Sequence, residues 1–129
     1  FVRPVAGRVT SAFGAWRDWN GVRAGRHDGV DLAGAAGTPV RAANRGVVAL
    51  AAEQYYGGLT VLIDHGAGLV TSYQHLSRAS VAVGDTVVRG RVIGTVGATG
   101  KATGSHLHWG ASYGAVVVDP VALLAVEPP

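Results

Sequence analysis

Four of the five histidines in this sequence fall, with one aspartate, into three short segments. In "GSHLHWG" (104–110), His106 and His108 are separated by one residue, so on a β-strand both project from one face while Leu107 and Trp109 project from the other. In "HDGVD", His27 and Asp31 stand four apart where the glycines argue for a loop entering a strand. In "SYQHLS", alternation places Tyr73 and His75 on one face of a strand. Each segment alone has a plainer reading: exposed strand histidines, an Asp31 that caps a turn beside a solvated His27, a packed His75. Together they form the inventory of a metal hydrolase. Catalytic zinc takes three protein ligands, imidazole or carboxylate, and keeps a fourth position for water, whose pKa falls toward about 7. Two histidines and one aspartate meet that need, and two further histidines can move protons and steady an oxyanion.

The elements that must hold these residues read as strands. A strand pattern runs from Val9 to Phe13, and the Gly, Trp and Asn-rich stretch 14–26 reads as a loop. After it come "HDGVDLA", "TPVRA", "GVVALAAE", "LTVLIDHG", "GLVTSYQHL", "DTVVRG", "RVIGTVG", "SHLHWGASY" and "AVVVDP", each of strand length and ended by turn residues. "IDHGAGLVTSY" is the clearest hairpin, turning at Gly66 and Gly68. The loops 53–58 and 98–105 are glycine-rich and hold candidate groove-lining groups. "DPVALLAV" predicts one short helix, capped by Asp119 with Pro120 at its first position. The expected fold class is all-β: a single antiparallel β-sheet or sandwich domain spanning 1–129, with glycine-rich loops around a groove and one short C-terminal helix.

Composition narrows the function further. The absence of cysteine removes disulfides and thiolate ligands, so a metal must use His, Asp or Glu. With no methionine, Phe1 is expected to be a processed or excised beginning, the chain being the C-terminal part of a longer envelope protein. No apolar run approaches the roughly 20 residues that span a bilayer. The net charge of +3 comes from scattered arginines, without the dense basic stripe and interleaved aromatics of a nucleic-acid binder.

At this point the motifs resemble a known family, the M23 zinc metalloendopeptidases of the lysostaphin and LytM type, which cut peptide cross-bridges in bacterial cell walls. The similarity runs from about Phe13 to Leu124 through "HDGVDLAGAAGTPVRAANRGVV", "GGLTVLIDHG", "TSYQHLS", "VGDTVVRGRVIGTVGATG" and "GSHLHWG", in family order. It implies a LytM-like fold and one Zn²⁺ per domain, with His27, Asp31 and His108 as metal ligands and His75 and His106 as the catalytic pair. All five positions are filled, unlike degenerate members that have lost ligands. Gln74, Ser105 and Trp109 depart from the commonest pattern of a small residue, proline, and phenylalanine or tyrosine. None removes a ligand, and they leave the substrate preference open. In latent members an upstream segment covers the zinc, and Asn20 lies in that region, though "NG" also reads as an ordinary turn. His65 has no family role and is assigned a structural or solvent-facing position. Tyr55, Tyr56 and Tyr73 either line the groove or pack, and Tyr73 is a candidate to orient a histidine.

The resemblance implies an endopeptidase acting on peptidoglycan stem peptides and cross-bridges, in the periplasm or otherwise outside the cytoplasm, with a monomer favoured. His75 or His106 takes the proton of a metal-activated water, and the other histidine steadies the oxyanion. The bond cut, a D-alanyl or a glycyl one, stays open. One alternative is a catalytically silent wall-binding or amidase-activating LytM domain, whose mark would be missing ligands. Another is a lipoyl- or biotinyl-like carrier using Lys101, the only lysine, beside the "GDTVVRGRVIG" hairpin.

Overall fold

The valine-bearing runs do become strands. The computed structural model describes residues 1–14, 28–100 and 104–125, and the strands 16–19 and 22–26 as backbone. Among these the strands are β1 (Val9–Ser11), β2 (Trp16–Trp19), β3 (Val22–Arg26), β4 (Val30–Ala33), β5 (Pro39–Arg41), β6 (Gly46–Gln54), β7 (Gly58–Asp64), β8 (Leu69–Ala79), β9 (Thr86–Val87), β10 (Val92–Val96), β11 (His106–Tyr113) and β12 (Val116–Val118). A ten-stranded sheet has the order β1-β4-β11-β8-β7-β6-β9, with β12 against β11, and β10 paired to both β8 and β5. Its pairings are all antiparallel. The chain closes on a 3-10 helix, Pro120–Ala125, where the Asp119 carboxylate accepts the Val121 N–H at 3.0 Å. The all-β class with one short C-terminal helix is therefore what the chain adopts.

The stretch 14–26, expected to be a loop, instead contains β2 and β3 paired antiparallel as a separate ribbon. The cue was Asn20-Gly21, a dipeptide that favours a two-residue hairpin turn, set between strand-compatible "WRDW" and "VRAG". The expected hairpin at "IDHGAGLVTSY" forms between β7 and β8, and Gly66, Ala67 and Gly68 turn it with φ of 89°, 54° and 85°.

The core lies on one face of the central strands. Trp109 of β11 sits opposite Val30 of β4 on one side and Tyr73 of β8 on the other, and Leu107 sits opposite Leu32. All five of these side chains are at most 1% exposed. Each fully buried aliphatic or aromatic side chain contributes roughly 1.5–3 kcal/mol, so this layer fixes the sheet that carries the opposite face.

Within this core runs a polar chain. The Ala43 N–H donates to the Tyr73 hydroxyl at 3.1 Å, which is 2.7 Å from the Thr71 hydroxyl, itself 2.7 Å from His65 Nε2. His65 Nδ1–H donates to the Arg45 carbonyl at 2.7 Å, which makes Nε2 the acceptor of the Thr71 proton. Burial pushes the Tyr73 hydroxyl up to about 12. Tyr73 thus orients His65 through Thr71, and His65 is structural.

Candidate functional site

The polar face of β4, β11 and β8 assembles the site in one row. Asp31, His108 and Gln74 are directly opposite one another across the three strands, so alternation puts all three on the face away from Trp109 and Tyr73. His106, two residues before His108, joins them.

His75 reaches this row by breaking the alternation. Tyr73 and His75 were expected on one face, yet Tyr73 is in the core while the His75 ring centroid lies 5.0 Å from that of His106 and 6.2 Å from that of His108. His75 has φ of 65°, a left-handed conformation unusual for any residue with a Cβ, and the β7–β8 register shifts between Leu59 and Val61. The bulge turns the ring from the core side to the histidine side. Backbone strain of this kind collects where a side chain must be re-aimed.

His108 is held between two carboxylates. Its Nδ1 is 2.9 Å from Asp31 Oδ1, and its Nε2 is 3.3 Å from Asp28 Oδ1. His106 Nε2 is 3.6 Å from the same Asp31 oxygen. Burial would lower the His108 imidazole, but its hydrogen bonds to Asp28 and Asp31 outweigh that, and its pKa is raised. Gly29 makes the approach possible: a Cβ there would stand 2.8 Å from His108 Nε2 and 2.7 Å from the Trp109 carbonyl oxygen.

Two backbone carbonyls set the other rings. His75 Nδ1–H donates to the Thr99 carbonyl at 2.7 Å, and His106 Nδ1–H donates to the Gly104 carbonyl at 2.9 Å. Each bond fixes the tautomer that leaves Nε2 as the acceptor nitrogen. Burial is the main reason the His75 imidazole is lowered below its ordinary value; the Thr99 bond opposes it, and His106 and His108 reinforce it. A neutral His75 with a bare Nε2 can take a proton.

The donor set fits a divalent cation. A nitrogen of His108 and an oxygen of Asp31 face each other at hydrogen-bond distance, an arrangement that requires positive charge between them, either a proton or a metal ion. Ligand atoms bound to zinc at about 2.0–2.2 Å stand roughly 3.3 Å apart in a tetrahedron. The partner of His108 on its other nitrogen is a carboxylate, as ligating imidazoles generally have. His27, the third ligand expected, lies outside the described residues, as do Asn20 and Lys101. Among the described residues no cluster of three metal donors is found; Asp31 and His108, two of the residues expected as ligands, stand 2.9 Å apart.

The sequence reading missed Asp28 and Thr99. Asp28 is a neighbour of His27 in "HDGVD", and only the fold shows which histidine it meets. Thr99 acts through its carbonyl, for which no residue type is diagnostic. Of the tyrosines, Tyr55 and Tyr56 are 71% and 73% exposed and stack edge to face at 4.7 Å beside the groove; Tyr73 packs.

A family model described as peptidase family M23 matches residues 25–120. The DD-carboxypeptidase/endopeptidase Mpg of Neisseria meningitidis is 43% identical over 102 residues, which cover 79% of this chain and 24% of that protein. A zinc containing peptidase from Vibrio cholerae has the same fold with a TM-score of 0.85 at 32% identity, over 98% of this chain and 40% of that one. The catalytic domain of the antimicrobial peptidase lysostaphin from Staphylococcus simulans gives a TM-score of 0.84 at 31% identity, over 93% of each chain. The chain spans about a quarter of the length of Mpg.

Proposed function

The chain belongs to peptidase family M23, and from that premise we propose that it is a zinc-dependent endopeptidase that hydrolyses the peptide cross-links of bacterial peptidoglycan. The observation that carries the reading is the convergence of Asp31 Oδ1 and His108 Nδ1 at 2.9 Å, beside the rings of His75 and His106. The name of Mpg, a DD-carboxypeptidase/endopeptidase, supports the substrate class.

His27, Asp31 and His108 would hold the zinc. When bound, the ion supplies Lewis acidity, lowering the pKa of a water in its open position and polarising the scissile carbonyl. Asp28 keeps the proton of His108 on Nε2, so that Nδ1 keeps its lone pair for coordination. His75, neutral and tied through Nδ1 to Thr99, takes the proton of the attacking water at Nε2. His106, whose Nε2 lies 3.6 Å from the Asp31 carboxylate, would be the second histidine of the pair, relaying a proton to the leaving amine.

Since peptidoglycan lies outside the cytoplasmic membrane, the domain acts outside the cytoplasm, and the periplasm is the compartment proposed. Among the described residues no helix is long and apolar enough to cross a membrane. Replacing His106 with Ala tests the assignment: cleavage of purified wall should be abolished while zinc stays bound, and wild-type activity in that variant would sink it.

A further inference from the structure

Gln74 is the cross-strand partner of His108, so its side chain leaves the sheet beside that of His108 on the same face. It is half-buried, yet among the described residues no hydrogen bond reaches its carboxamide. A Cβ on Gly57 would stand 3.0 Å from the Gln74 Cδ and 3.1 Å from its Oε1, so the glycine leaves the amide its place. Two grooves meet at this side chain. One is lined by Asp28, His108, Ser72 and Gly110, the other by Tyr55, Tyr56, Gly57 and Thr60, and Leu62 and Gln74 belong to both.

Among the described residues the carboxamide makes no hydrogen bond within the protein, and it opens onto both grooves, so its donors and acceptor are available to a ligand lying there. A carboxamide offers two N–H donors and an acceptor oxygen in one plane, which matches the C=O and N–H of a peptide unit. We propose that Gln74 is a substrate-binding residue whose carboxamide hydrogen-bonds a backbone peptide unit of the stem peptide, on the side of the scissile bond that runs into the Tyr55–Tyr56 groove. The inference rests on the peptidase reading above and adds the residue that fixes the peptide's register beside His108.

The test compares wild type with Gln74→Leu, similar in size and without hydrogen-bonding groups, on a soluble cross-linked stem-peptide dimer carrying no sugar. KM should rise about tenfold, as for loss of one or two partly buried hydrogen bonds, with kcat, zinc content and thermal midpoint unchanged. An unchanged KM on the dimer overturns the proposal. So does a loss confined to intact wall, which would assign Gln74 to the glycan strand. A second measurement needs no turnover: in the His106→Ala variant, titration with the dimer should shift the ¹⁵N side-chain amide resonance of Gln74, and an unmoved resonance under saturating binding overturns the proposal. A wild-type protein that binds the dimer, shifts that resonance and never cleaves would instead refute the peptidase reading alone.

Discussion

Replacing Thr99 with Val should destabilise the fold and disable the chemistry together. Its hydroxyl donates to the Leu76 carbonyl at 2.7 Å and accepts the Leu59 N–H at 3.0 Å, and Leu59 and Leu76 are register partners of β7 and β8. Where the His75 bulge opens the ladder, the Thr99 hydroxyl takes the place of the direct strand-to-strand bond. Valine has nearly the same shape and no hydroxyl, so two backbone groups lose their partner. At about 1 kcal/mol per lost bond, rising to about 1–3 for a group left buried and unsatisfied, the cost sums to roughly 2–4 kcal/mol. Serine keeps the hydroxyl and loses one methyl, worth about 0.8 kcal/mol. Urea unfolding of the three proteins reads these numbers directly. The same change frees the Thr99 carbonyl that fixes the His75 tautomer, so kcat should fall in the valine variant, with KM and zinc content held, and recover in the serine variant. A valine variant within about 0.5 kcal/mol of wild type, the range of an ordinary surface change, would refute the reasoning.

Three further outcomes follow from the same geometry. Asp28→Ala should weaken zinc binding about tenfold, the low end for a ligand's supporting carboxylate because this one is 75% exposed; chelator competition measures it, and an unchanged affinity would show that the His108 Nε2 contact does not matter. Gly29→Ala should lower stability by about 1–3 kcal/mol and impair zinc binding, since the new Cβ meets both the Trp109 carbonyl and the His108 ring; a variant that loses stability yet binds zinc normally would contradict the second half. The third outcome concerns pH. Burial lowers the His65 imidazole below 6.5, against the raising effects of the Arg45 bond and Asp64, so the unfolded chain binds more protons in that window. The contribution of His65 is then fully present above about pH 6.5 and fades as pH falls through the lowered value. The stability gap between wild type and His65→Ala should shrink from pH 7.5 to 5.5, and a gap constant over that range would refute the neutral-ring network.

Strand alternation made much of the fold and half of the site legible. The alternation of "HLHW" alone predicts that Leu107 and Trp109 enter the core and the two histidines face the other way, and they do. The "GAG" turn and the Asp119 cap were equally readable, because glycine and short polar side chains act locally. What local pattern cannot carry is an irregularity enforced from elsewhere. His75 leaves the face that alternation assigns it because Gly57 and Thr99, from other segments, take its backbone N–H and its ring nitrogen. Asp28 and Gln74 likewise gain their meaning only from a register in which β4, β11 and β8 lie side by side. The ribbon of β2 and β3 was missed for a different reason: the Gly and Asn content of this stretch resembles loop composition.

The proposed activity is zinc-dependent cleavage of wall cross-links by this constellation. The most direct measurement strips the protein with a chelator, restores zinc stepwise, and identifies the muropeptides released from purified peptidoglycan at each step. Cleavage should vanish on stripping, return in proportion to zinc up to one ion per chain, and leave new termini at a peptide bond within the cross-links. Cross-links left intact by the fully zinc-loaded protein, or cleaved as fast by the stripped one, would contradict it.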